Sequence, residues 1–489
     1  MEKIKDDLAS SNSPSNPSLE ERGLRGKEER IFDAQKNNQL AVKLASIDDR
    51  KAKLKKLKAV IKANENDIFD ALKKDLRKSV FESAVFEVLF IYAEIDFAIK
   101  NLPVWTSPQT VPSNLLNLMT KCKITYEPKG VCLIIAPWNY PFQLLMSPLI
   151  SAIAAGNCCI LKPSELAPAT SGIVMKLITE IFKENEIAVV EGDVSVSTEL
   201  LSLPFNHIFF TGSTQIGKVV MEAAAKHLAS VTLELGGKSP AIIDINTDLK
   251  KAAAKIVWGT FANAGQTCIA PDYVFVHEDQ QEKFIELLRE NIEKEYFSKD
   301  QLNKEDYGKI ISEGHFKRLK NLLDDAIQKG AQVRIGGTFE ESDRTVHPTV
   351  LTNVSLDSRI MLEEIFGPVV PVLTYKNINE VIDYVNSQNK PLALYVFSNS
   401  KQNVETILSQ TSSGGSCIND VMIHISNPNL SFGGINTSGI GGSHGAHGFK
   451  AFSHERSVMY QSKIMDISKI IYPPYKGKEM ILKLLRKLM

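Results

Sequence analysis

Between residues 131 and 235, short apolar runs alternate with longer stretches of helical period. Runs at 131–136, 158–162, 187–190, 207–210 and 231–235 read as strands, and the stretches 142–155, 168–183 and 215–228 as the helices between them. Strand, helix and strand in repetition give parallel βαβ units and a doubly wound sheet, an α/β fold whose ligands gather beyond the carboxyl ends of the strands. Residues 131–161 carry no charge and so imitate a membrane span. Pro137, Asn139, Pro141, Pro148, Gly156 and Asn157 split that run into strand, helix and strand, and a buried core explains it better than lipid does. A second series, from 241 to about 421, has strands at 241–244, 273–277, 333–335, 369–375 and 393–397 and a helix at 249–261; it reads as a second α/β domain.

The flanks are less regular. Residues 31–45 look helical, and Ser46 with Asp49 makes a capping box for the next helix. That helix sets Lys51, Lys53, Lys55, Lys56 and Lys58 around Leu54, Leu57 and Ile61, a solvated basic face rather than a phosphate patch. A third helix, 80–101, is strongly apolar but holds Glu87, Glu94 and Asp96, and Pro103 is expected to end it. Residues 110–128 lack helical period and end in the alternating run 123–126, an excursion with a strand suited to partner contact. The stretch 431–448 is Gly-rich and reads as a flexible loop; Met459 and Tyr460 are strand-like, and a short helix is expected at 478–488. The first thirty residues hold charges, Ser, Asn and Pro with no apolar core, so they read as a disordered tail without a signal peptide.

Composition narrows the function. Lys plus Arg equals Asp plus Glu at 57 each in 489 residues, so no global field draws the chain to nucleic acid or to an anionic membrane. Small molecules and copies of the chain itself are the expected partners. Six cysteines without a C-x-x-C pair suggest a reduced, cytoplasmic protein.

Cys268 lies in the run N-A-G-Q-T-C-I-A-P-D-Y, among small uncharged residues just after a helix. A lone thiol is by default a small buried hydrophobe; it becomes a nucleophile only with a cleft and partners. Glu234, inside the apolar strand of L-E-L-G-G-K, is a buried carboxylate of the kind that makes a general base, with an ion pair to Lys238 as the structural alternative. Asn139 follows the first core strand in P-W-N-Y-P and can offer an amide N–H to an oxyanion, although a turn Asn commonly bonds its own backbone. The run from Phe210 to Val219 joins a strand to a helix, a site for a diphosphate. Its spacing also mimics a P-loop, but Val219 stands where the magnesium-binding hydroxyl belongs. Lys162 and Glu165, just past a strand end, could grip ribose hydroxyls, Glu165 disfavouring a 2′-phosphate; a surface ion pair is the alternative. The match of Gly441-Gly-Ser443-His444-Gly445 to G-x-S-x-G lacks a preceding strand, and His444, His447 and His454 lack partners at metal-ligand spacing, so neither a serine nucleophile nor a metal is expected.

Taken in order, the runs PWNYPF, LKPSE, FTGSTQIGK, LELGGKSP, GQTC and EEIFGPV resemble the aldehyde dehydrogenase superfamily. APDY after Cys268, DYGKIIS at 306–312 and the run 418–458 resemble its class 3 branch of fatty and aromatic aldehyde dehydrogenases. The resemblance implies Cys268 as nucleophile, Glu234 as base and Asn139, with the Cys268 backbone N–H, as oxyanion donor. It implies a dinucleotide, NAD or NADP, held by Trp138, Lys162, Glu165, Gly212, Ser213, Thr214, Gln215, Ile216, Gly217, Leu235, Glu364 and Phe366. It further implies an NAD-binding domain at 31–109 and 129–234, a catalytic domain at 235–422, an oligomerisation arm at 110–128 and 423–462, a C-terminal segment at 463–489 and a homodimer. The expected reaction is oxidation of medium- or long-chain aliphatic or aromatic aldehydes to acids through a thiohemiacetal and a thioester. A CoA-acylating enzyme and a catalytically silent protein on the same fold are the alternatives. The last helix sets Ile481, Leu484, Leu485 and Leu488 opposite Lys478, Lys483, Arg486 and Lys487, a pattern for packing on the body, for covering the substrate entrance or for peripheral membrane contact.

Overall fold

The computed structural model describes residues 26–114, 117, 119–463 and 467–488, so most of the expected tail lies outside the described residues. Helix α1 (Lys27–Lys43) is followed by α2 (Ile47–Ala63), which starts on the expected capping box: the Ser46 hydroxyl accepts from Asp49 N–H and the Asp49 carboxylate accepts from Ser46 N–H. Its Leu54, Leu57, Val60 and Ile61 are buried while Lys53 and Lys58 pair outward with Glu186 and Asp96. After α3 (Glu65–Leu76) the expected third helix is broken into a short α-turn, Val80–Ser83, a π-helical stretch, Ala84–Leu89, and α4 (Phe90–Thr106). Pro103 does not end α4, which runs on through it. The hydroxyls of Thr106 and Ser107 donate to the carbonyls of Leu102 and Pro103 in the last turn, where helix carbonyls run out of backbone partners.

Strands β1 (Gln109–Val111) and β2 (Lys121–Pro128) form an antiparallel excursion. Then comes the expected alternation: β3 (Val131–Ile135), α5 (Gln143–Ala155), β4 (Cys158–Lys162), α6 (Pro168–Ile181), β5 (Ile187–Val189), β6 (His207–Gly212), α7 (Thr214–Lys226) and β7 (Ser230–Leu235). These strands pair in parallel in the order β7-β6-β3-β4-β5. Ile135 pairs with Lys162 and with Phe210, and Gly212 with Leu235, so the carboxyl ends of four adjacent strands form one edge.

The second domain follows with β8 (Pro240–Ile243), α8 (Leu249–Phe261), β9 (Tyr273–His277), α9 (Gln281–Tyr296), α10 (Glu313–Gln328), β10 (Gln332–Ile335), β11 (Thr349–Thr352), β12 (Val369–Tyr375), β13 (Ala393–Phe397) and β14 (Gly415–Ile418). Their order is β10-β11-β12-β9-β8-β13-β14, parallel except for β10 on β11. The short β11 and β14 are too polar to stand out in sequence.

The chain then returns. β15 (Gly439–Ile440) pairs antiparallel with β7, α11 (Gly445–Ala451) packs on α5, and β16 (Ser453–Tyr460) pairs with β2 from Lys121↔Tyr460 to Pro128↔Ser453. The arm sheet therefore holds β1, β2 and β16, while β15 extends the first sheet and α11 packs on α5. The Gly-rich stretch is not the flexible loop expected: Phe432, Ser443, His444 and Phe449 are buried. Glycine serves close approach here, since a Cβ at Gly433 would lie 2.4 Å from the Gly441 carbonyl oxygen. The last helix, α12, spans Glu479–Leu488; the side chains of Leu484, Leu485 and Leu488, on which its apolar pattern depends, lie outside the described residues. Among the described residues no helix is long and apolar enough to cross a membrane.

Candidate active site

Beyond α8 the chain tightens into a turn in which Asn263, Ala264 and Gly265 all take positive φ, at 52°, 51° and 72°. A left-handed Ala costs about 1–2 kcal/mol, so the turn must be held from outside. Asn263 Nδ2 donates to the carbonyls of Asn139 (2.9 Å) and Gln266 (3.1 Å). Gln266 Nε2 donates to the carbonyls of Asn263 and Lys309, and its Oε1 accepts from Ile311 N–H. A Cβ at Gly265 would lie 2.3 Å from the Gly367 carbonyl oxygen, so only glycine fits. The turn delivers Cys268, half-buried, to the floor of a cavity, next to Thr267, whose hydroxyl is 2.8 Å from that of Tyr140. Burial, with the carboxylates of Glu364 and Glu234, pushes the thiol up to about 12, and the backbone N–H groups of Cys268 and Ile269 pull the other way.

Glu234 faces the same cavity from the end of β7. It is 5 % exposed, and neither carboxylate oxygen has a hydrogen-bond partner among the described residues. Lys238 is not its partner; it pairs with Asp272 and donates to the carbonyls of Ile360 and Glu363. Desolvation pushes Glu234 up to about 7, opposed by the nearby Ser443 hydroxyl and His444 ring. The cavity has a volume of about 470 Å³, and Phe81, Phe86, Phe90, Leu144, Trp258 and Ile423 contribute to its apolar walls. Asn139 is buried beside the cysteine turn, its Nδ2 donating to the Gln266 carbonyl at 3.0 Å rather than to its own backbone. Its carbonyl accepts from Lys78 Nζ at 2.9 Å, and Lys78 donates to Glu87 at 2.5 Å. Glu87 in turn accepts from the N–H groups of Phe142 and Gln143. The sequence showed Glu87 only as an acid in an apolar helix; its partner Lys78 gave no signal.

The groups expected to hold a dinucleotide spread along the carboxyl edge of the first sheet and across to the second domain. Lys162 ends β4 with 1 % exposure; its Nζ donates to the Pro163 carbonyl at 3.0 Å and lies 3.6 Å from the half-exposed Glu165. After Gly212, Ser213 caps α7 by accepting from Ile216 N–H, and the Thr214 hydroxyl donates to the Thr437 carbonyl. Gln215 and Ile216 are exposed in the first turn, which holds no acid. A Cβ at Gly217 would lie 2.6 Å from Leu235, so glycine lets α7 settle on β7. Val219 is half-exposed on α7 and supplies no metal-binding oxygen. Across the cleft, Glu364 is pushed up to about 8 by burial and by Asp272, against the Gly237 N–H. A Cβ at Gly236 would lie 2.0 Å from its Oε2. Phe366, at φ 51°, meets Trp138 edge to face at 5.3 Å, and Trp138 lies 4.8 Å from His315. A helix N-terminus with free N–H groups and a buried ammonium with spare donors fit a dinucleotide.

The profile described as "Aldehyde dehydrogenase family" matches residues 25–458. The 4,4'-diaponeurosporen-aldehyde dehydrogenase of Staphylococcus aureus (strain NCTC 8325 / PS 47) is 44% identical, over 88% of this chain and 93% of that protein. The "Aldehyde dehydrogenase, dimeric NADP-preferring" of Rattus norvegicus is 43% identical over 89% of this chain and 95% of its own length. Among solved structures, the substrate-bound state of Staphylococcus aureus AldH superposes with a TM-score of 0.90 at 42% identity, covering 94% of this chain and 100% of that one.

Proposed function

The chain belongs to the aldehyde dehydrogenase family and oxidises aldehydes with NAD or NADP, and from that premise we propose that it converts medium- and long-chain or aromatic aldehydes to free acids, with Cys268 as nucleophile and Glu234 as base. The observation that carries this reading is the pairing, in one apolar cavity, of Cys268 with a carboxylate that has no hydrogen-bond partner among the described residues. The resting thiol is protonated and needs a base as it attacks; ionised Glu234 can take that proton. The sulfur adds to the carbonyl carbon, and the second Nδ2 hydrogen of Asn139 with the Cys268 N–H receives the oxyanion, each such donor being worth about 3 kcal/mol. The nicotinamide cofactor, when bound, supplies the hydride acceptor that turns the thiohemiacetal into a thioester. Once it has given up the thiol's proton, Glu234 takes a proton from water, whose oxygen bonds to the acyl carbon; the C–S bond breaks and that proton returns to the departing thiolate.

Lys162 and Glu165 would hold ribose hydroxyls, the N-terminus of α7 the diphosphate, and Glu364 and Phe366 the nicotinamide half. Glu165 favours NAD by repelling a 2′-phosphate, whereas the rat relative is NADP-preferring by name. The domain division and the homodimer are part of the same reading; the exposed Met459 and Tyr460 on the arm sheet suit a partner surface. A cytoplasmic location fits the six free cysteines. The test is a rate profile over aldehyde chain length with each cofactor, with and without CoA. Rates that rise with chain length and ignore CoA are expected; strict CoA dependence overturns hydrolysis, and preference for short polar aldehydes overturns the substrate class.

A further inference from the structure

The cavity holds a second group of buried polar side chains that the scheme above leaves unused. His444 is buried on the wall shared with Glu234. Its Nδ1 lies 3.2 Å from the Ser147 hydroxyl and 3.5 Å from Glu94 Oε2, and Ser147 donates to Glu94 at 3.4 Å. With Ser147 donating to the carboxylate, the imidazole proton belongs on Nδ1, which leaves Nε2 as the acceptor. Among the described residues the ring's hydrogen-bond contact runs through Nδ1, which leaves Nε2 to the cavity that His444 lines. The ring is fixed between Phe90 at 5.3 Å and Phe432 at 5.5 Å. Its backbone is strained, at φ 67° and ψ 144°, a conformation non-glycine residues rarely keep unless their surroundings impose it. The charged groups facing it are Glu94 from α4 and Glu234 from β7; α5 presents Ser147 and the 432 turn presents an aromatic ring. Glu94 is therefore a buried carboxylate whose use, apart from this ring, is a single long hydrogen bond.

Aldehyde oxidation releases protons inside an apolar cavity, and Glu234 has no hydrogen-bond partner among the described residues to take one. Resting on the reading of Glu234 as base, we propose that His444, backed by Ser147 and Glu94, accepts the proton that Glu234 has taken from the Cys268 thiol and so frees the base for the hydrolytic water. The transfer breaks the Glu234 O–H bond and forms an N–H bond at Nε2, directly or through a cavity water; the imidazolium is balanced by Glu94 and discharges to solvent. His444 does not touch the substrate carbonyl in this scheme. It is a positioning residue that acts through Glu234, and the G-x-S-x-G match at 441–445 houses it by coincidence of spacing.

The test compares the native enzyme, Glu234→Gln, His444→Gln and Glu94→Gln by rapid mixing with a long-chain aldehyde and cofactor. His444→Gln should keep the initial NADH burst, which reports acylation, while the steady rate falls about tenfold or more. Added imidazole should restore several-fold of that loss, a response a merely structural defect would not give. Glu94→Gln should show the same pattern to a lesser degree and is read alone should His444→Gln not fold. A steady rate equal to native, loss of the burst together with the steady rate, or no response to imidazole overturns the proposal. If Glu234→Gln itself leaves the steady rate unchanged, the base assignment falls and the relay falls with it, which separates the two failures.

Discussion

Glu87 and Glu234 are both buried acids that serve the cavity, and the protein treats them in opposite ways. Glu87, under the Asn139 turn, accepts from the Lys78 ammonium and from two backbone N–H groups at the start of α5. Glu234, at the end of β7, has no hydrogen-bond partner among the described residues. Burial raises both acids, but only around Glu87 do an ammonium and N–H groups pull back strongly. A saturated carboxylate is held in one state and fixes backbone; an unsaturated one is left to change state near neutral pH. In the proposed mechanism this difference separates the group that positions Asn139 from the group that moves protons.

If that division is right, removing each acid's function should damage a different property. The largest effect belongs to Glu234→Gln. Steady turnover should fall about 10²–10⁴-fold while the NADH burst and the melting temperature survive, because no structural partner is lost. A variant that melts well below the native protein would make Glu234 structural after all. Next comes Lys78→Met, which strands Glu87 as an unpaired buried charge and should cost about 3–5 kcal/mol in urea unfolding. Adding Glu87→Leu should return most of it. An unchanged midpoint in the single variant would erase the contrast.

pH sharpens the comparison with a smaller effect. Glu234 must be ionised to act, so steady turnover should drop about tenfold per pH unit below about 7 and level off above it. For stability the sign runs against activity. A carboxylate raised from 4.5 to about 7 binds a proton on folding, so its stabilising share is present below 4.5 and lost as pH climbs through 7. Relative to native, Glu234→Gln should therefore be more stable at pH 8 than at pH 5, as urea midpoints at the two values would show. A pH-independent difference would mean that Glu234 never changes state.

The two halves of this contrast were unequally legible in the sequence. The parallel strands announce themselves because burial on both faces leaves continuous apolar runs, and Glu234 is conspicuous inside one. Cys268 and Asn139 stand in short distinctive runs. Lys78 is invisible, because one lysine in a chain of lysines reads as surface until the fold closes over it. His444 carries no signal of its own, since a glycine-rich stretch reads as mobile unless one knows that its glycines let backbones touch. Pro103 misled as well: a proline breaks a helix by rule, yet α4 runs through this one to Thr106.

Lys162 with Glu165 stands between the two extremes and gives the smallest and most discriminating effect. The ammonium is buried like Lys78, but its carboxylate partner is half-exposed and 3.6 Å away, so neither group is saturated. Such a pair is neither a structural clamp nor an orphan; it keeps bonding capacity for the ribose it is proposed to hold. Glu165→Gln removes the charge that opposes a 2′-phosphate while keeping a hydrogen-bonding group for the ribose. It should leave unfolding unchanged and shift the ratio of kcat/KM for NADP over NAD upward by about tenfold, on the order of 1.4 kcal/mol. Measuring both cofactors with one aldehyde decides the point. A loss of stability in its place would move this pair to the side of Lys78 and Glu87, and an unchanged ratio would take Glu165 out of cofactor choice.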